Sequence, residues 1–151
     1  MDLNTIEARA EMLIRKPAAA VFEAFIDPGI TSKFWFTGGS GRLEAGKRVQ
    51  WEWKMYDLSV GVDVKVIEAN KRIVVEWSAY GGPTTVEWTL TSPSDDTTFV
   101  SIVNRGFSGD DQTIVQQAIG STEGFTLVLA GLKAFLEHNV QLNLVADRFP
   151  R

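Results

Sequence analysis

The 151-residue chain contains no cysteine. That absence excludes a disulfide framework, thiolate zinc or iron–sulfur ligation and a cysteine nucleophile. Histidine is nearly as scarce: His138 stands alone, so neither a two-histidine metal motif nor a facial triad of two histidines and a carboxylate can be assembled. Positive charge is in deficit, with 15 Lys+Arg against 19 Asp+Glu and a net charge of −4, which argues against a nucleic-acid backbone as partner. Long apolar runs are missing as well. The longest lies near residues 125–132, far below the roughly 20 residues that span a bilayer, and Met1-Asp2-Leu3-Asn4 lacks the basic start and apolar stretch of an export signal. These absences predict a cytoplasmic protein without metal, cofactor, nucleic acid or membrane insertion. Hydrophobic residues make up 44% of the chain. A domain of about 150 residues buries roughly 68–70% of its unfolded surface, so residues 1–151 read as one domain that needs no staple.

Residues 6–14 alternate, with Ile6, Ala8, Ala10, Met12 and Ile14 on one side and Glu7, Arg9 and Glu11 on the other, which predicts a half-buried strand. Pro17 fits the first position of a helix whose apolar face is Ala18, Val21, Phe22, Phe25 and Ile26. Asp27-Pro28 repeats that start signal and predicts a second short helix carrying Ile30, Phe34 and Trp35, ended by Gly38-Gly39-Ser40-Gly41. Between about residues 41 and 106, four or five alternating segments are separated by Ala45-Gly46, Tyr56-Asp57, Ala69-Asn70-Lys71, Gly81-Gly82-Pro83 and Ser92-Pro93-Ser94-Asp95. Connections this short predict an antiparallel meander. Val49, Trp51, Trp53 and Met55 share one face, as do Val60, Val62, Val64 and Val66, then Ile73, Val75 and Trp77, then Val86, Trp88 and Leu90.

After Gly106-Phe107 the period shifts from two to nearly four. Ser108 reads as the cap of a first helical segment, and Ser121 with Glu123 as the start of a second beyond Gly120. Phe125, Val128, Leu129, Leu132, Phe135 and Leu136 form the stripe of that second, longest helix, which ends near Glu137-His138-Asn139. An antiparallel sheet with one apolar face must cover it, and this helix is the one predicted element long enough to do so. The sheet then curls around the helix, and a strong curl leaves a pocket lined by aromatic rings.

The stretch from Pro17-Ala18-Ala19-Ala20-Val21-Phe22 to Asp27-Pro28, the pair Phe34-Trp35, Lys71-Arg72-Ile73-Val74-Val75-Glu76-Trp77, Gly106-Phe107 and Gly124-Phe125 onward to Leu136 resemble the START-like superfamily. Within it they are most similar to proteins like the C-terminal domain of the heat shock protein 90 ATPase activator. The resemblance covers nearly the whole chain in order. It implies an α+β helix-grip fold, a curved antiparallel sheet wrapped around a long C-terminal helix with two short helices after the first strand. Members often carry tryptophan where this chain has Phe125. Related proteins bind lipids, hormones or polyketides, and some catalyse cyclisation.

The candidate site follows from that geometry. Trp35, Trp51, Trp53, Trp77 and Trp88 either cage a ligand or fill the core, with Trp35 at the rim and Trp77 at a strand end as the strongest ligand contacts. Met55, Phe107, Phe125 and Leu129 complete the apolar lining. Tyr80 and Asn104 are the polar handles; Asn104 reaches the cavity if it follows Val100 and Ile102, or else satisfies a strand end. Glu52, Glu76 and Glu87 fall out of phase with the apolar faces and read as solvated, and His138 reads as a surface residue at the helix dipole's negative end. Gly41-Arg42-Leu43-Glu44-Ala45-Gly46-Lys47 has phosphate-loop spacing, but Arg48 replaces the Ser/Thr and a strand follows. No catalytic residue is assigned. The expected function is binding of a small apolar molecule, with a polyketide-cyclase-like enzyme and a chaperone ATPase activator, partnered by a chaperone, as alternatives.

Overall fold

The computed structural model describes residues 3–150, and the side chains of Asn4 and Tyr80 lie outside that description. The first alternating segment is β1 (Glu7–Ile14), with Ala8, Ala10 and Ile14 buried and Glu7, Arg9 and Glu11 exposed. Pro17 stands at the N-cap of α1 (Ala18–Ile26), one position earlier than the sequence predicts, where its carbonyl accepts the Val21 N–H at 3.2 Å. Asp27 caps α2 (Pro28–Thr31): its carboxylate accepts the Gly29 N–H at 2.9 Å, and Pro28 opens the helix. Here α2 stops, so Phe34 and Trp35 are not helical as predicted. Phe34, Trp35 and Phe36 are all buried, and consecutive residues on a helix point about 100° apart, so a turn is what rolls three neighbouring rings onto one surface. Gly38–Gly39 forms a short edge strand, β2, rather than a mere stop.

The meander comprises β3 (Arg48–Trp53), β4 (Leu58–Glu68), β5 (Arg72–Tyr80), β6 (Gly82–Ser94) and β7 (Thr97–Arg105). With β1 and β2 they make one seven-stranded antiparallel sheet in the order β1-β7-β6-β5-β4-β3-β2. The inner face carries the rows expected from alternation. Register shifts lie between Val64 and Val66, Trp77 and Tyr80, and Thr91 and Ser94. Such irregularities increase local twist, and they bend this sheet into its curve. The first leaves Val66 only half-buried and seats Ile67 against the core instead. The other two let β6 absorb Gly82-Pro83 and Ser92-Pro93-Ser94, which alternation alone reads as loops.

The region after Gly106 is a single helix, α3 (Asp111–His138), where two segments are predicted. Asp110, not Ser108, is its N-cap, accepting the Thr113 N–H at 2.8 Å. Gly120 costs a helix about 1 kcal/mol, but Ile114 and Ala118 before it and Phe125, Val128 and Leu132 after it all bury, and that gain carries the helix through. Ser121, predicted as a cap, is instead buried mid-helix. On length and composition α3 is apolar enough to cross a membrane; here it is the core helix that the sheet encloses. A further short helix, α4 (Leu144–Arg148), has no counterpart in the sequence reading. The architecture is the α+β helix-grip fold.

Candidate ligand cleft

Trp35 is the hub of the interior. Its ring centroid lies 4.9 Å from that of Trp51, 6.0 Å from those of Trp53 and Trp77, 6.1 Å from Trp88 and 5.6 Å from Phe125. The α1–α2 corner positions it. Thr31 Oγ1 donates to Asp27 O at 3.0 Å and also to Ala24 O, locking the turn that delivers residues 34–36. Gly131 on α3 lets that turn approach, since a Cβ there would stand 3.1 Å from the Phe34 carbonyl oxygen.

On one side of this cluster the packing is incomplete. A cleft of about 370 Å³ lies between β3–β5 and α3. Trp35, Trp53, Trp77, Phe125, Val60 and Val128 line its buried part. Leu58 and Phe149, 48% and 58% exposed, stand at its mouth. Tyr56, Glu123 and Arg148 are the polar groups there. The Tyr56 hydroxyl donates to the Val145 carbonyl, and Arg148 pairs with Glu123 while its Cζ sits 4.3 Å from the Phe149 ring centroid. The Glu123 hydrogen bond raises the Arg148 guanidinium above its ordinary value, so it stays a cation. The interior wall is thus mainly apolar, and the mouth, spanned by α4, carries the polar groups beside Leu58 and Phe149. Such an arrangement can hold an apolar body and meet its polar end with a guanidinium, a carboxylate and a phenol.

The Activator of Hsp90 ATPase homolog 1-like (AHSA1) family model matches residues 15–137, most of the chain and most of this fold. The chain belongs to the AHSA1 family. Protein SSP2350 from Staphylococcus saprophyticus is 29% identical, with a TM-score of 0.78, covering 91% of this chain and 96% of that one. The Aha1 dimer from Colwellia psychrerythraea is 15% identical with a TM-score of 0.75, covering 89% and 98%. PFC0360w from Plasmodium falciparum, described as an HSP90 activator, is 15% identical with a TM-score of 0.67, covering 87% and 96%. The last two likenesses concern the fold alone. No curated protein matches the chain.

Within this AHSA1 chain, four of the residues singled out in the sequence, Trp35, Trp53, Trp77 and Phe125, come together on the cleft. Trp51, Trp88 and Leu129 do not; at 1%, 1% and 0% exposure they are solid core behind it. Met55 sits in a short 3-10 turn rather than on a strand and lines a smaller space of about 150 Å³ under residues 141–146. Phe107 belongs to a separate cluster with Ala8, Ile114 and Ala118. Asn104 points inward but not into the cleft. Its Nδ2 donates to Thr84 Oγ1 at 3.0 Å and Thr85 O at 2.9 Å, and its Oδ1 accepts from Ser121 at 2.9 Å, so both N–H donors are used between β6, β7 and α3 and the side chain is fully buried away from the cleft. The Tyr80 side chain is outside the described residues. Glu52 is exposed, and Glu87 bridges Arg72 and Arg105 on the outer face, where the Arg72 hydrogen bond holds its carboxyl below the usual range. His138 ends α3, exposed. Sequence reasoning missed Tyr56, Glu123, Val145, Arg148 and Phe149. The one available signal was the apolar spacing of Leu142, Val145 and Phe149 beyond the helix end.

Proposed function

We propose that this AHSA1-family chain, acting as one START-like binding unit in the cytoplasm, holds a small, mostly apolar molecule in the cleft between β3–β5 and α3. The observation that carries the reading is the cleft itself: about 370 Å³ of space against Trp35, Trp53, Trp77 and Phe125. Its size is that of small-molecule sites, which are mainly apolar with a few polar groups at one end. Burial of the ligand's apolar surface supplies the affinity, at roughly 25 cal/mol per Å² less the cost of association. A cyclase-type reaction needs a titratable group against the reacting atoms. Glu123, Tyr56 and Arg148 are at the mouth and engaged with one another or with α4, which favours binding over catalysis.

The test is purification under native conditions followed by native mass spectrometry for a co-purified molecule and a tryptophan-fluorescence screen of apolar compounds. Saturable quenching by at least one chemical class is the expected result. Failure of every class in a diverse library overturns the reading. The family description supports a second reading, stimulation of a chaperone ATPase. A pull-down with the host's own chaperone and an ATPase assay with and without this protein decide that one.

A further inference from the structure

The cleft sorts its chemistry by depth. Trp35, Trp77, Phe125 and Val128 in the interior are at most 7% exposed, whereas the side chains of Glu123 and Arg148 at the mouth are 40% and 46% exposed. A molecule that fills such a space has an apolar body and one polar end. The charge preferred at that end depends on what the mouth leaves unused. Both Glu123 oxygens are taken by Arg148, Oε1 from Nε and Oε2 from Nη2 at 3.4 Å. Arg148 Nη1, by contrast, has no hydrogen-bond partner among the described residues. A guanidinium is all donor, five N–H groups and no acceptor, so the spare capacity of Arg148 is donor capacity on a cation. Its planar fork suits a second carboxylate, and Phe149 packed on it helps fix that plane. Glu123 displays the kind of group this guanidinium accepts.

Resting on the binding reading above, we propose that the ligand is an apolar carboxylate, its hydrocarbon or aromatic body in the cleft and its carboxylate docked on the open side of Arg148. Arg148 then determines specificity for the acid, and Glu123 moderates the affinity as a like charge beside the docked group. A cationic end meets a carboxylate already neutralised by Arg148 and a guanidinium that repels it. A neutral end gains no charge-assisted bond.

The experiment compares three probes with one body: 2-naphthylacetate, 2-naphthylacetamide and 2-naphthylethylamine, each titrated calorimetrically at neutral pH into the intact protein, Arg148→Gln and Glu123→Gln. Both positions are half-exposed, and the ratio of acid to amide affinity is read within each protein, so a general change in the cleft cancels. The acid should bind about fivefold tighter than amide or amine to the unmodified protein, as a partly screened ion pair allows. Arg148→Gln should bring that ratio to about one, and Glu123→Gln should raise it about two- to threefold. An acid that binds no better than the amide, or a preference that survives Arg148→Gln, overturns this inference and leaves the binding reading standing. If none of the three probes binds any of the proteins, this inference falls, and the binding reading stands or falls on the diverse library.

Discussion

Ser121 on α3 donates a 2.9 Å hydrogen bond to Oδ1 of Asn104 on β7, and both residues are fully buried. Through its Nδ2 the same amide holds Thr84 Oγ1 and the Thr85 carbonyl on β6, so one side chain joins helix to sheet. Asn104→Ala strands Thr84 and Ser121 without their partner. It should cost about 2–4 kcal/mol, against about 1 kcal/mol for Ser121→Ala, measured by urea denaturation. An Asn104→Ala loss below that of Ser121→Ala contradicts the assignment of the amide as a clasp.

Gly124 and Gly131 share α3 but not their surroundings. A Cβ on Gly124 meets nothing within 4 Å, whereas one on Gly131 comes within 3.1 Å of the Phe34 carbonyl oxygen. Gly124→Ala should therefore stabilise the protein by about 0.5–1 kcal/mol through helix propensity. Gly131→Val should destabilise it by about 1–3 kcal/mol and disturb Trp35, visible as a change in near-ultraviolet circular dichroism. Equal thermal shifts for the two would mean that the turn at Phe34 is not seated on the helix.

Glu137 sits near the end of α3 with its side chain 9% exposed. Burial pushes its carboxyl up, but the Arg15 amide N–H at 2.9 Å and Lys133 at 2.7 Å outweigh that and leave it below the ordinary value. An unfolded glutamate titrates near about 4.3, so the stabilisation is complete above that pH and fades as pH falls through the lower folded value. Glu137→Gln should cost about 1–2 kcal/mol at neutral pH, and its difference from the parent should shrink in acid. A difference that stays constant down the acid limb contradicts the sign.

Tyr56 reaches from the turn after β3 to the Val145 carbonyl, and α4 buries no residue of its own. Tyr56→Phe should speed amide exchange at Val145–Arg148 severalfold while changing global stability by no more than about 0.5–1.5 kcal/mol. Unchanged exchange there would show that α4 is held by other contacts.

The sheet was legible because Trp51, Trp53, Val62, Val75 and Trp88 sit at period two between turn residues, and one buried face makes that register unambiguous. The continuity of α3 was not. Ser121 carries the local signature of a cap, and only the buried Asn104 on a distant strand shows that its hydroxyl points sideways. The site divided in the same way. Periodicity puts all five tryptophans on the inner face or its rim, but it cannot say which rings face space and which face each other, because that depends on how far the sheet curls. The sequence left open whether Asn104 reaches the cavity or satisfies a strand end, and what it meets is Ser121 on α3 and Thr84 and Thr85 on β6. The mouth residues Arg148 and Phe149 belong to a segment whose one pattern is the spacing of Leu142, Val145 and Phe149, too short to place it, and their position is fixed by Glu123 and Tyr56, distant in sequence.

The five indole N–H resonances in a nitrogen-15 spectrum, followed during titration with a bound apolar compound, test the central claim directly. Trp35, Trp53 and Trp77 should show the largest shifts and Trp51 and Trp88 the smallest, since the first three line the cleft and the other two lie behind it. Shifts led by Trp51 and Trp88, or a spectrum in which no indole moves, would contradict a ligand cleft between sheet and helix.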